Sequence, residues 1–178
     1  MLPLAHATFG WVFVIFGVAP HGGALDVGVD VVGWLAIAWA WHRLLVVESS
    51  FAAARTVALV GAATALVRLL PGPEPLLIVA QVVAVAVVAA AVVTGAAALM
   101  RAATTHGSRL VAAQASFLRW AAVGVLLIEG LAGLGSFAVP DLTDLVRSAA
   151  ALGLGFAAWF TVLQLVSAWR LRRGRPRA

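Results

Sequence analysis

The chain has 178 residues, of which 63% are hydrophobic and 11% are charged, and its mean hydropathy is +1.06. A soluble domain usually carries about 25% charged residues, so the composition excludes an ordinary water-facing surface. The formal net charge is +5, and every basic residue other than histidine is arginine. Cysteine is absent, which excludes disulfides, thiolate catalysis and cysteine-based metal sites.

Long apolar stretches joined by short connectors predict an all-α fold, a polytopic transmembrane helical bundle of about six spans. A helix needs about 20 apolar residues to cross the hydrocarbon core of a bilayer. The predicted spans cover residues 4–18, 30–47, 55–70, 75–100, 110–139 and 143–169. The run Pro-Gly-Pro-Glu-Pro at 71–75 cannot continue a helix and separates the third span from the fourth. Residues 1–169 are thus one helical domain, and residues 170–178 are a basic tail.

The arginines predict the orientation. The tail region carries Arg170, Arg172, Arg173, Arg175 and Arg177. A basic cluster beside a transmembrane helix favours the cytoplasmic side and attracts anionic lipid headgroups, so the bilayer and anionic lipids are the expected partners and nucleic acid is not. Because six is an even number of spans, both termini are expected in the cytoplasm. The predicted location is the cell inner (plasma) membrane, with multiple passes.

The residues at the start of the second span resemble a known sequence pattern. Within positions 25–37, Asp30, Gly33 and Trp34 fit an Asp-x-x-Gly-aromatic pattern. Further along, Phe51, Ala54 and Arg55 fit a Phe-x-x-Ala-basic pattern. This resembles small uncharacterised bacterial multi-pass membrane proteins, in which an Asp-x-x-Gly-aromatic entry precedes an apolar helix. The chain has Val29 where that pattern has proline and Trp34 where it has tyrosine. The resemblance covers about a quarter of the chain and implies a membrane fold but no activity.

Glu129 is the sharpest candidate for chemistry, because it lies inside the apolar run 126–131 of the fifth span. An ionisable group at membrane depth costs several kcal/mol unless it is paired, neutralised or hydrated. Arg68 and Arg147 fall at a depth from which either could reach it. Glu129 therefore has one of two roles. It is structural, either in an ion pair or as a protonated carboxyl, or it handles a proton, an ion or a substrate.

Asp26 and Asp30 are spaced four residues apart at the outer edge of the second span. On a helix both carboxylates would share a face and could bind a cation or a basic partner. The commoner arrangement is that one caps the helix while the other is solvated, and Asp30 is the predicted N-cap.

Three histidines, His6, His42 and His106, fall on the predicted cytoplasmic side. Imidazoles can bind a metal or a haem, but these come from three separated segments and none shows a close ligand spacing. We therefore expect interfacial histidines, with no metal site and no cofactor.

Two further groups of residues carry packing predictions. Trp39 and Trp159 are expected to pack deeply, whereas five other tryptophans are expected near the interfaces: Trp11, Trp34, Trp41, Trp120 and Trp169. The amides at or near membrane depth are expected to hydrogen-bond between helices: Gln81, Gln114 and Gln164.

Three functions remain open at this point. The first is a small transporter or lipid-handling protein that uses the buried carboxylate of Glu129, as a homo-oligomer or a compact monomer. The second is a non-catalytic subunit or scaffold that packs beside a partner membrane subunit. The third is an intramembrane enzyme acting on a lipid or isoprenoid with Glu129 as general acid. The sequence contains no phosphate-binding loop, serine nucleophile elbow or His-Glu-x-x-His motif, so ATP-driven transport and common hydrolase chemistry have no support.

Overall fold

The described part of the chain is entirely α-helical apart from its connections. The computed structural model describes residues 2–17, 24–68, 74–136 and 155–167. These residues form α1 (Leu2–Gly17), α2 (Ala24–Leu44), α3 (Phe51–Arg68), α4 (Glu74–Thr105), α5 (Arg109–Ser136) and α6 (Gly155–Ser167). Each predicted span overlaps one of these helices, so the all-α prediction is confirmed.

The bounds of α2 differ from the prediction in a way that changes the meaning of Asp30. The helix begins at Ala24, so Asp30 lies in its interior and the predicted N-cap is wrong. The residues between the two are mostly apolar and continue the helix, and Arg68 of α3 provides the partner that an aspartate inside a helical bundle needs. A capping role would have required Asp30 to stand at the first turn.

Helices α1 and α2 run antiparallel and cross at two glycines. A β-carbon on Gly10 would lie 2.7 Å from the carbonyl oxygen of Gly33, and one on Gly33 would lie 2.8 Å from the carbonyl oxygen of Gly10. Small residues allow such close approach of two backbones. Contacts on either side of this crossing, Trp11 with Trp34 and His6 with Trp39, show that the two helices run in opposite directions.

The connection between α4 and α5 is a tight glycine turn. Gly107 has a positive φ of 72°, which favours glycine over other residues. The Ser108 amide donates to the Ala103 carbonyl at 2.8 Å, and the Gly107 amide donates to the Thr104 carbonyl at 3.1 Å. This is a Schellman cap, which ends α4 and turns the chain directly into α5.

An aromatic cluster of Trp11, Trp34, Trp41 and Phe160 forms the centre of the core. The ring of Trp11 lies 5.7 Å from that of Trp34, 6.4 Å from that of Trp41 and 5.7 Å from that of Phe160. All four side chains are buried. Because Phe160 belongs to α6, this cluster attaches α6 to the α1–α2 pair.

The predicted deep packing of Trp39 and Trp159 is wrong. The predicted positions of the other tryptophans near the membrane interfaces stay predictions, because burial in the bundle does not measure depth in a membrane. Trp39 and Trp159, expected to pack deeply, are 50% and 43% exposed, whereas Trp11, Trp34 and Trp41 are buried. Helical periodicity explains the result on α2, since positions 34 and 41 are seven residues apart and share a face, while position 39 lies on another. Overall apolarity gave no information about which face of each helix turns inward.

Two of the described helical segments are long and apolar enough to cross a membrane, Phe51–Arg68 and Val83–Thr105. Two shorter segments, Pro3–Ile15 and Gly155–Ser167, are apolar but have fewer residues than such a crossing normally requires.

Candidate functional site

An open cleft of about 790 Å³ lies at the end of the bundle where α2 turns into α3. The start of α1, the ends of α2 and α4, and the α2–α3 connection form its sides. Most of its wall is apolar, and this includes the buried residues Leu4, Leu44, Phe51 and Leu99. The cleft is thus an apolar depression that opens at one end of the helix bundle.

The polar side chains that line the cleft are three imidazoles and one guanidinium. His6, His42 and His106 all line it, together with Arg43. No aspartate or glutamate is among the described residues that line it. The cleft therefore presents positive charge and hydrogen-bond donors above an apolar wall.

Trp39 holds two of these groups in place. The His6 ring packs edge-on against the Trp39 ring with centroids 5.2 Å apart, and the Arg43 guanidinium carbon lies 5.7 Å from the same ring centroid. The second contact has the geometry of a cation–π interaction. His106 is held separately, since its Nδ1 donates to the Ala102 carbonyl at 2.8 Å.

The sequence did not show that these histidines share a cleft, because they stand far apart along the chain. The signal was their position: each lies near the end of a helix, and antiparallel packing places those ends together. Among the residues that the structure describes, no group of three histidine or carboxylate side chains is close enough to hold a metal ion. The Arg43 guanidinium gives the same cleft a positive charge, which suits an anion.

A second polar feature, the ion pair between Asp30 and Arg68, lies at the opposite end of the bundle. The Arg68 Nη1 donates to the Asp30 Oδ2 at 3.2 Å. The Asp30 side chain is 3% exposed, and that of Arg68 is 20% exposed. The void beside the pair, which Thr64 also lines, has a volume of about 10 Å³ and has room for about one water molecule. This pair joins α2 to α3, and the void beside it is too small for a ligand.

The remaining sequence candidates fall outside what is described. Arg147 lies outside the described residues, and the side chains of Glu129 and Asp26 are likewise outside them, although α5 and α2 include their backbones. Of the five candidates, the structure brings together Arg68 and Asp30. The proposed reach of Arg68 to Glu129 stays untested, and the guanidinium has a carboxylate partner on α2.

Gln164 differs from its predicted role. It is 1% exposed, and neither its Oε1 nor its Nε2 has a hydrogen-bond partner in the described part of the chain. The expected amide hydrogen bond between helices is therefore wrong for this residue.

Replacing Asp30 with asparagine is expected to destabilise the protein by about 3 kcal/mol, the lower end of the range for breaking a buried ion pair, because Arg68 keeps some exposure. Thermal unfolding in detergent, followed by tryptophan fluorescence, measures the change. Thr64→Val is the control: its hydroxyl donates to the Val60 carbonyl of its own helix, so its loss should have little effect. Equal stability of Asp30→Asn and the wild type would contradict a structural role for the pair.

Comparison of the chain with protein-family models, with known proteins and with solved structures gives no match.

Proposed function

We propose that the protein is a multi-pass membrane protein that handles lipids by binding the headgroup of an anionic lipid in the end cleft. The observation that carries this proposal is the cleft itself, in which three histidines and Arg43 surround an apolar wall without a lining carboxylate among the described residues. An anionic amphiphile matches both parts, because its phosphate needs cationic donors and its chains need an apolar surface.

The surface of the helices supports a membrane environment. Large apolar side chains are exposed on all six described helices, for example Phe9, Leu35, Val60, Val83, Phe117 and Val162. A soluble monomer rarely exposes a continuous apolar patch larger than a few hundred Å². Together with the two helical segments that could span a bilayer, this favours the six-span arrangement in the plasma membrane.

The ends of the bundle support the proposed orientation. Arg43, Arg55, Arg101 and Arg109 lie at the cleft end, on or near the α2–α3 and α4–α5 connections, and Glu48 is the one acid among the described residues there. At the opposite end Asp30 neutralises Arg68. An excess of arginine marks the cytoplasmic side, so the cleft opens to the cytoplasmic leaflet and both termini are cytoplasmic.

Size and access also fit a lipid. Ligand pockets commonly enclose about 300–1,000 Å³, and the cleft is within that range. His6 and Trp39 are exposed on the side of the α1–α2 pair as well as lining the cleft. A lipid can therefore enter sideways from the leaflet with its phosphate passing Arg43.

Lipid selectivity tests the proposal. Native mass spectrometry of the detergent-purified protein should show about tenfold tighter binding of phosphatidylglycerol than of phosphatidylcholine, since repulsion between the choline ammonium and the Arg43 guanidinium costs about 1–4 kcal/mol at about 4 Å. Phosphatidylcholine also carries a phosphate, so the comparison isolates net negative charge. Equal affinity for the two lipids would contradict an anionic-lipid site and leave the packing subunit as the better function.

The absence of cysteine makes the orientation directly testable. A single cysteine at Ser108, in the α4–α5 turn, should react with a membrane-impermeant thiol reagent only when the cytoplasmic face is accessible. A single cysteine at Gly72 should react from the outside of intact cells. Labelling of Ser108→Cys from outside would reverse the proposed topology.

A further inference from the structure

We propose that the cleft binds anionic lipid more tightly as the pH falls, because protonation of His6, His42 and His106 adds positive charge around the headgroup. This inference rests on the proposed function and adds the regulation of the same site by protons. The amount of bound lipid then depends on the acidity of the side to which the cleft opens.

The charge of the cleft depends mainly on histidine. Among the described residues that line it, Arg43 is the one side chain with a permanent charge, and the three imidazoles can each gain one. Histidine changes its charge between about pH 5 and pH 8, whereas arginine stays charged throughout. Protonation of all three rings therefore raises the positive charge of the described lining from one to four.

The imidazoles are accessible to solvent and to a bound headgroup. His6, His42, Arg43 and His106 are all exposed as well as lining the cleft. The His6 ring lies 5.2 Å from the Trp39 ring, and the Arg43 guanidinium carbon lies 5.7 Å from the same ring. A phosphate bound at Arg43 therefore lies beside the ring that His6 also contacts, and a positive charge on His6 attracts it.

His106 shows that protonation changes the hydrogen bonding as well as the charge. Its Nδ1 lies 2.8 Å from the Ala102 carbonyl oxygen. A carbonyl oxygen only accepts, so Nδ1 carries the hydrogen of the neutral ring, and Nε2 is then an acceptor that repels a phosphate oxygen. The proton taken up in acid goes to Nε2 and turns it into a donor.

The charged groups around the cleft do not cancel this effect. On the neighbouring helices they are Arg55 of α3, Arg101 of α4 and Arg109 of α5, which stay positive across the range. Glu48 is the one described acid at this end, and its Oε1 accepts from the Ser50 amide at 3.2 Å and the Ser50 hydroxyl at 3.0 Å, beside the start of α3. Apart from the cleft histidine of α1, the described residues of α1 and α6 include no titratable side chain.

Phosphatidylglycerol separates a change in the protein from a change in the lipid. Its phosphate is a diester, a strong acid that keeps one negative charge over the range in which histidine titrates. Phosphatidylcholine with the same chains carries the same phosphate and a quaternary ammonium, and neither titrates in that range. It therefore reports any general effect of pH on the protein or the detergent.

Lipid titration of the detergent-purified full chain by native mass spectrometry measures both affinities at about pH 8 and at about pH 5.5. The wild type should bind phosphatidylglycerol about 10-fold or more tightly at the lower pH, since one imidazolium about 4 Å from a phosphate contributes about fivefold even in water. Phosphatidylcholine binding should hardly change. The combined variant His6→Gln, His42→Gln and His106→Gln should lose most of the pH dependence. Arg101→Gln is the control: it removes a charge at the same end but keeps the three rings, so it should keep the pH dependence.

Equal phosphatidylglycerol affinity at the two pH values would overturn the inference. A parallel rise for both lipids, or a combined variant that keeps the full change, would overturn it as well. The wild-type comparison needs no variant, so poor folding of the combined variant would not obscure it. If phosphatidylglycerol is preferred over phosphatidylcholine to the same extent at both pH values, the proposed function stands without this inference. Absence of that preference at both pH values would instead overturn the proposed function itself.

Discussion

Replacing Arg43 with glutamine is expected to weaken phosphatidylglycerol binding by about 10-fold or more. Arg43 is the arginine that lines the described cleft, and its guanidinium already rests on Trp39. A charge-assisted hydrogen bond to phosphate contributes about 1.5–3 kcal/mol, which corresponds to a factor of about 10 to 150 in affinity. Glutamine keeps a hydrogen-bond donor but is shorter and loses the charge. Lipid titration by native mass spectrometry measures the change.

Arg101→Gln is the matched control for this prediction. Arg101 is at the same end of the bundle, directly before the cleft residue Ala102, but it is exposed and does not line the cleft. Its replacement removes the same charge and should reduce lipid affinity far less than Arg43→Gln. Equal losses in the two variants would indicate general attraction between a basic end and anionic lipid rather than a defined site.

Replacing Gly10 with valine is expected to destabilise the protein by about 1–3 kcal/mol or more, the usual effect of inserting atoms into a packed interface. The new β-carbon would lie 2.7 Å from the Gly33 carbonyl oxygen and 3.0 Å from the backbone nitrogen of Ile37. Backbone atoms cannot rotate away, so α1 and α2 must separate. The separation should also weaken lipid binding, because it moves His6 away from Trp39.

Gly28→Ala on α2 provides the comparison. Nothing lies within 4 Å of a β-carbon at Gly28, and alanine favours a helix by about 0.5–1 kcal/mol over glycine. This variant should match or exceed the wild type in thermal stability. A Gly10→Val protein as stable as Gly28→Ala would show that α1 and α2 do not cross at the two glycines.

The helices could be predicted from sequence because apolarity and breakers act locally. The turn at Gly107 and the break after Arg68 separate runs that are otherwise uninterrupted. Which face of each helix packs into the core could not be predicted, because nearly every position is apolar and the faces differ little in polarity. Trp39 and Trp41 differ by two positions, yet one is half exposed and the other is fully buried.

The candidate site was harder to predict because it depends on contacts between distant segments. Asp30 and Arg68 were both identified from sequence, but their pairing required knowing that α2 and α3 are antiparallel neighbours. His6, His42 and His106 were identified as an end group, but the cleft between them exists only once α1, α2 and α4 are packed. The glycine crossing at Gly10 has no local signature, since its partner lies on another helix.

The most direct test of the lipid site is photo-crosslinking of the wild-type protein with a phosphatidylglycerol analogue that carries a diazirine on its headgroup. We expect adducts on the cleft segments around residues 42–47 and 99–106, which excess phosphatidylglycerol should suppress. The exposed apolar face of α3, which includes Val60 and Val67, is the internal comparison and should remain nearly unlabelled. Adducts spread evenly over α3 and the cleft, or insensitive to competing lipid, would contradict a specific headgroup site.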